Sequence, residues 1–157
     1  MRDLRVCAAV SAGVVACVLL CGGLAARAAE PRLTAALGDV VVKLVDVQPK
    51  VTQVIVNDAT IFEDRESKLL SFVNAYTVDG RWMALLQSDT GAKDCPTRFR
   101  VLDLGAPTPS VSLPFGSCSD ALQVTTADGA LTVSMPVPPG SDTAAWTYRN
   151  GRIARSR

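Results

Sequence analysis

The chain has 157 residues, 16 basic against 15 acidic side chains for a formal charge of +1, and no histidine. Near-neutrality argues against nucleic acid as a partner, because a phosphate backbone selects proteins with a clear basic excess. The missing imidazole removes Ser-His-Asp and Cys-His nucleophiles and His-bearing zinc sites, and the length suits one domain.

Met1-Arg2-Asp3-Leu4-Arg5 is a short charged start, followed by an uncharged apolar run of 21 residues, Val6 to Ala26. Ala26 and Ala28 place small residues three and one positions before a cut after Ala28, which completes a secretory signal over residues 1–28. Two other readings stay open. The run is long enough to span a bilayer as an uncleaved signal-anchor, which takes about 20 residues. A lipoprotein signal acylated on Cys17 or Cys21 is the third, although Val18-Leu19-Leu20 after Cys17 and bulky Leu20 before Cys21 both stand against it. Every reading puts Glu30 onward outside the inner membrane, either periplasmic or secreted, or anchored to that membrane by residues 6–26. A cut would take three basic residues and one acidic, lowering the counts from 16 and 15 to 13 and 14 for a net charge of −1.

Three of the five cysteines, Cys7, Cys17 and Cys21, belong to that first segment. Cys95 and Cys118 remain, and two thiols in an oxidising compartment most simply pair. The bridge would close a loop of 22 intervening residues. Such a loop is worth roughly 3 kcal/mol in the chain-entropy account. A metal site would want more ligands, and a catalytic thiol would want a base.

Past the first segment, Glu30-Pro31-Arg32 reads as a linker and Leu33–Leu37 as a short helical turn closed by Gly38. Residues 29–38 would then precede an all-β domain over 39–157. Asp39–Val47 alternates Val40, Val42 and Leu44 on one face until Pro49. Val51–Val56 passes through Asn57-Asp58 into Thr60-Ile61-Phe62 as a hairpin. Leu69–Val78 and Arg81–Gln87 flank Asp79-Gly80, a pair suited to a tight type I′ turn. At period two, Phe72, Tyr76 and Val78 share one face, and Trp82, Ala84 and Leu86 share another. Thr97–Leu104 is a further strand, with Cys95 and Cys118 in the connections at its ends and Val111-Ser112-Leu113 as an edge piece. Leu122–Thr126 and Leu131–Met135 alternate around Asp128-Gly129. Pro136, Pro138 and Pro139-Gly140 interrupt, since proline cannot sit in a strand interior. Ala145–Arg149 and Arg152–Ala154 bracket Asn150-Gly151. The whole predicts nine or ten short antiparallel strands in a single sandwich or barrel-like meander. Two or three propeller blades are also geometrically possible, but such a fragment would not close.

The search for chemistry yields little. There is no phosphate-cradling Gly-rich loop and no dinucleotide fingerprint, so no cofactor, metal or catalytic residue is expected. Glu63, Asp64 and Glu66 cluster beside Arg65 and Lys68 in what reads as a solvated turn. Three features can mark a binding surface. Arg98 and Arg100 alternate against Phe99 and Val101, so both guanidinium groups face one way; an exposed sheet face is the simpler explanation, and an anion- or carboxylate-binding patch the sharper one. Arg149, Arg152, Arg155 and Arg157 form a basic end, either a solubilising tail or a contact for anionic lipid or a partner. Trp82, Tyr76, Trp146 and Tyr148 serve as core or cross-strand aromatics or as a ligand platform. The binding patch expected from these is Arg98, Arg100, Trp82 and Tyr76.

Gly91-Ala92-Lys93-Asp94-Cys95-Pro96, Phe99-Arg100 and Phe115-Gly116-Ser117-Cys118-Ser119-Asp120, followed by Met135-Pro136, form a recognisable pattern. Over about residues 68–150 the chain resembles a loose group of small exported β-rich proteins of proteobacteria. The resemblance implies export and a disulfide, and no activity. Taken together, a non-catalytic periplasmic β-domain that binds an envelope protein or a small ligand is expected. A membrane-tethered structural or assembly protein is the alternative. A hydrolase comes third, because paired carboxylates meet in space rather than in sequence.

Overall fold

Twelve strands run through the residues described by the computed structural model, which are 29–105, 107–137 and 142–156, and none of these residues is helical. The expected signal, anchor or lipoprotein segment at 1–28 lies outside them. The strands form three four-stranded sheets, each an up-and-down antiparallel meander. The first contains β1 (Pro31–Leu37), β2 (Val40–Gln48), β3 (Val51–Val56) and β4 (Ala59–Asp64). The second contains β5 (Leu69–Val78), β6 (Arg81–Asp89), β7 (Thr97–Asp103) and β8 (Ser110–Val111). The third contains β9 (Gln123–Ala127), β10 (Ala130–Pro136), β11 (Thr143–Arg149) and β12 (Arg152–Ser156). This corrects the expectation of nine or ten strands in one sandwich or barrel: there are twelve, in three layers.

Turn chemistry sets the hairpins. Asn57-Asp58, Asp79-Gly80, Asp128-Gly129 and Asn150-Gly151 all hold positive φ at both positions. That is the type I′ turn whose twist matches the flanking strands. The linker or helical turn expected at 29–38 is instead largely β1. Leu33 and Leu37 fit both a helical and a period-two spacing, and pairing decides between them. Leu33, Ala35 and Leu37 stand opposite Leu44, Val42 and Val40 of the valine-rich β2.

The middle sheet is covered on both faces. Val42, Leu44, Val54 and Val56 of the first sheet pack on Leu70, Ala84, Leu86 and Leu102. On its other face Met83, Leu85, Phe99, Val101 and Phe115 meet Leu131, Val133, Met135, Trp146 and Tyr148 of the third sheet. Met83, Ala84, Leu85 and Leu86 are therefore all fully buried, as a strand with two dry faces requires. A bulge between Phe72 and Asn74 sends Phe72 to the first core, while Tyr76 and Val78 stay with the second. The expected shared face is broken by that extra residue.

β4 lies alongside β8 and β5 alongside β9, so like edges stack and the chain crosses a layer between meanders. Propeller blades follow one another in the same order, here without closure. The outermost faces explain where the stack stops. The first sheet turns out Lys43 paired with Asp58, and Gln53 with Glu63. The third turns out a cross-strand row of Thr125, Thr132, Thr147 and Ala154. Neither face offers another layer much apolar area to bury.

Candidate functional site

Beyond β8 the chain keeps running back along β7. Ser112 N–H donates to the Val101 carbonyl at 2.9 Å, and Phe99 and Phe115 exchange backbone bonds at 2.8 and 2.9 Å. Leu113-Pro114 interrupts this ladder, since proline has no N–H to give. The return path brings Cys118 next to Cys95, with a bridge between them and a Cα separation of 4.6 Å. Both cysteines thus sit at the start of β7, not at its two ends.

The broken edge leaves a groove of about 590 Å³ between residues 113–116 and the β11–β12 hairpin. Its floor is aromatic. Phe115 stands between Phe99 and Trp146, with ring centroids 6.3 Å apart on each side. Leu113 is 81% exposed at the rim. Gly116 sits at φ 128, where a side chain would strain the backbone, and a Cβ there would touch Phe99 at 3.4 Å and Met135 at 3.5 Å. The wall is therefore tightly packed behind and open in front.

Arg98, Arg152 and Arg155 line this groove, and none of its lining residues is acidic. Arg98 donates to the Gly116 carbonyl at 3.4 Å, and Arg155 lies 5.4 Å from the centre of the Trp146 ring. Guanidinium groups stack on aromatic faces and still offer a planar fork to a carboxylate or phosphate. A second depression, of about 430 Å³ at the β2–β3 turn, contrasts with it. Asp46, Lys50 and Lys68 line that one, with charges of both signs and no aromatic ring.

The four residues expected to share a patch are dispersed. Arg100 is 7% exposed. Its guanidinium is spent on the Ser112 carbonyl at 3.1 Å, the Glu66 carboxylate at 3.4 Å and the Phe62 ring at 4.9 Å. Trp82 is half-buried against the first core and Tyr76 against the second, on opposite faces of the middle sheet. Arg98 alone belongs to the groove. The basic C-terminal residues supply its partners, Arg152 and Arg155, which the sequence shows as a separate signal.

Between the second and third sheets, the Tyr148 hydroxyl donates to Asp103 Oδ2 at 3.0 Å, and the Gly105 N–H donates to Asp103 Oδ1 at 2.9 Å. Burial, then the adjacent Asp103 charge, pushes the Tyr148 phenol above its ordinary value. Both residues are almost fully buried, so the pair ties the second sheet to the third and does not meet a ligand. Neither a protein-family profile, nor a curated protein sequence, nor a solved structure matches the chain.

Proposed function

We propose that the chain is an exported, non-catalytic binding module that takes an anionic, partly apolar ligand in the Arg98–Arg152–Arg155 groove. One observation carries this reading: three guanidinium groups gather without a carboxylate over a floor of Phe115 and Trp146. Like charges so placed repel one another, and an anion relieves that repulsion while its apolar part covers the rings. Other arginines and lysines do meet a carboxylate, as in Lys43–Asp58 and Arg32–Asp46. Export is supported by the signal-like residues 1–28, by the Cys95–Cys118 bridge and by the resemblance over residues 68–150. The ligand is an envelope protein or a small molecule of that compartment. A tethered form is the second reading, favoured by an apolar run of 21 residues that reaches across a bilayer.

Trp146 reports on the groove directly. In protein carrying Trp82→Phe, its fluorescence is expected to titrate saturably with dodecyl phosphate below its micelle concentration or with an acidic peptide. High salt should weaken the response. An equal response to uncharged dodecanol, or none to any anion, would remove the proposal. Mass spectrometry of the exported protein separates the two forms, with a start at Ala29 for the free domain and intact Met1 for the tether.

A further inference from the structure

We infer that the ligand is an extended acidic segment of another envelope protein, added as a fifth strand to the third sheet along β12. This rests on the groove being a ligand site and names the class of ligand. Among the described residues β12 is a terminal strand of its sheet, with β11 as its one neighbour. Arg149 and Arg152 are paired across the two-residue turn Asn150-Gly151. In such a hairpin the pair flanking the turn exchanges backbone hydrogen bonds, and the pairs then alternate. Arg152, Ala154 and Ser156 therefore bond to Arg149, Thr147 and Ala145. The N–H and C=O groups of Ile153 and Arg155 point the other way, to the open side. Those same two residues line the groove.

A free strand edge invites a second strand, and charge determines which strand fits. Arg149, Arg152 and Arg155 on or beside this edge would oppose one another in a pair of copies, so self-association is disfavoured. An acidic strand meets the opposite case. Its side chains alternate at period two, so carboxylates on the groove side reach Arg98 and Arg155, while its other side passes Arg152, which shares the outer face with Ala154. The methylene stems of those groove-side acidic residues lie over Leu113, Phe115 and Trp146. An anionic lipid would satisfy the arginines yet leave the Ile153 and Arg155 backbone unpaired, which is why the edge favours a peptide.

The test uses the purified exported protein and a short acetylated, amidated peptide alternating Glu with Val. Saturable binding is expected, with slowed amide exchange at Ile153 and Arg155 and with Arg98→Ala weakening the complex about tenfold. Methylating the peptide nitrogens of one alternate set should abolish binding, while methylating the other set should leave it. That comparison leaves the fold of the protein untouched. Response to dodecyl phosphate without response to the peptide overturns strand addition but leaves the groove as an anion site. So does peptide binding with unchanged exchange at Ile153 and Arg155. Silence toward every anion removes both.

Discussion

The two faces of the middle sheet are built from different side chains. Against the first sheet, the fully buried contacts are aliphatic: Val42, Leu44 and Val54 on Leu70, Ala84, Leu86 and Leu102. Phe62, Phe72 and Trp82 reach that core only from its margin. Against the third sheet, the contacts run through Phe99, Phe115, Trp146 and Tyr148, with Met83 and Met135 filling between rings. That second interface also holds a buried carboxylate and borders the disulfide. The meanders repeat, yet the groove lies where the repetition fails. The fourth strand has six residues in the first sheet and five in the third, but two in the middle one. A truncated edge beside large rings leaves a mouth that short aliphatic side chains on a full edge would have sealed.

Large-to-small substitutions break the comparison most directly. Leu44→Ala and Met135→Ala both empty sites with no exposure. Leu44→Ala is expected to cost about 3–4 kcal/mol in urea unfolding, because β-branched neighbours cannot turn to fill the hole. Met135→Ala should cost about 1 kcal/mol less, since Met83 and the rings can adjust. An equal or larger loss at Met135 would show that the second interface is as rigid as the first. Reduction of Cys95–Cys118 comes next, at roughly 3 kcal/mol. Its local signature matters more. Exchange around Phe115–Gly116 should quicken well before exchange in β2 and β3, and uniform quickening would refute a staple confined to the groove wall.

Much of the fold can be read locally. Asp79-Gly80, Asp128-Gly129 and Asn150-Gly151 announce their hairpins because positive φ at two successive positions restricts which residues can stand there. The pairing of Cys95 with Cys118 follows from counting. β1 does not, since Leu33 and Leu37 satisfy both periods and only β2 chooses between them. The face of Phe72 is equally hidden, because a single inserted residue before Asn74 reverses the alternation. The division into three sheets is disguised by Met83–Leu86, a continuous apolar run that a buried strand and other core segments share. The groove was half legible. Arg98 stands out on its strand, but Arg152 and Arg155 meet it through sheet stacking, which no local pattern encodes. Arg100 shares its strand face and ends under Phe62, because long-range packing decides which guanidinium keeps its freedom.

Tyr148→Phe tests the polar tie between the second and third sheets. It leaves the ring packing intact and removes the donor to Asp103 Oδ2. A buried carboxylate that loses a donor costs about 1–2 kcal/mol. The wild-type pair also sets a sign. Burial and Asp103 raise the Tyr148 phenol above its ordinary value of 10.0. The unfolded chain therefore ionises first, so stability is whole below that value and falls as pH climbs through the folded one. Tyr148→Phe should flatten this alkaline decline, and an unchanged decline would place its origin elsewhere.

The first interface should respond at the opposite end of the scale, and less. Arg32 Nε donates to Asp46 Oδ2 at 2.7 Å, Thr52 donates to Oδ1 at 2.8 Å, and the Arg32 Nη2 also reaches the Leu70 carbonyl of the middle sheet. The Arg32 bond, assisted by Thr52 and opposed by slight burial, holds the Asp46 carboxyl below the usual carboxylate range. A lowered folded value makes the contribution present above the unfolded pKa and lost as pH falls through the folded one. Side-chain exposures of 33% for Arg32 and 42% for Asp46 leave the pair screened by water and salt. Its share is accordingly about a few tenths of a kcal/mol. Asp46→Asn should remove part of the acid-side slope below about pH 4, and added salt should shrink the difference between variant and parent. If the variant instead steepened the alkaline limb, the strap and the Tyr148 tie would be acting on one cooperative unit, and the two interfaces would not be separable by pH.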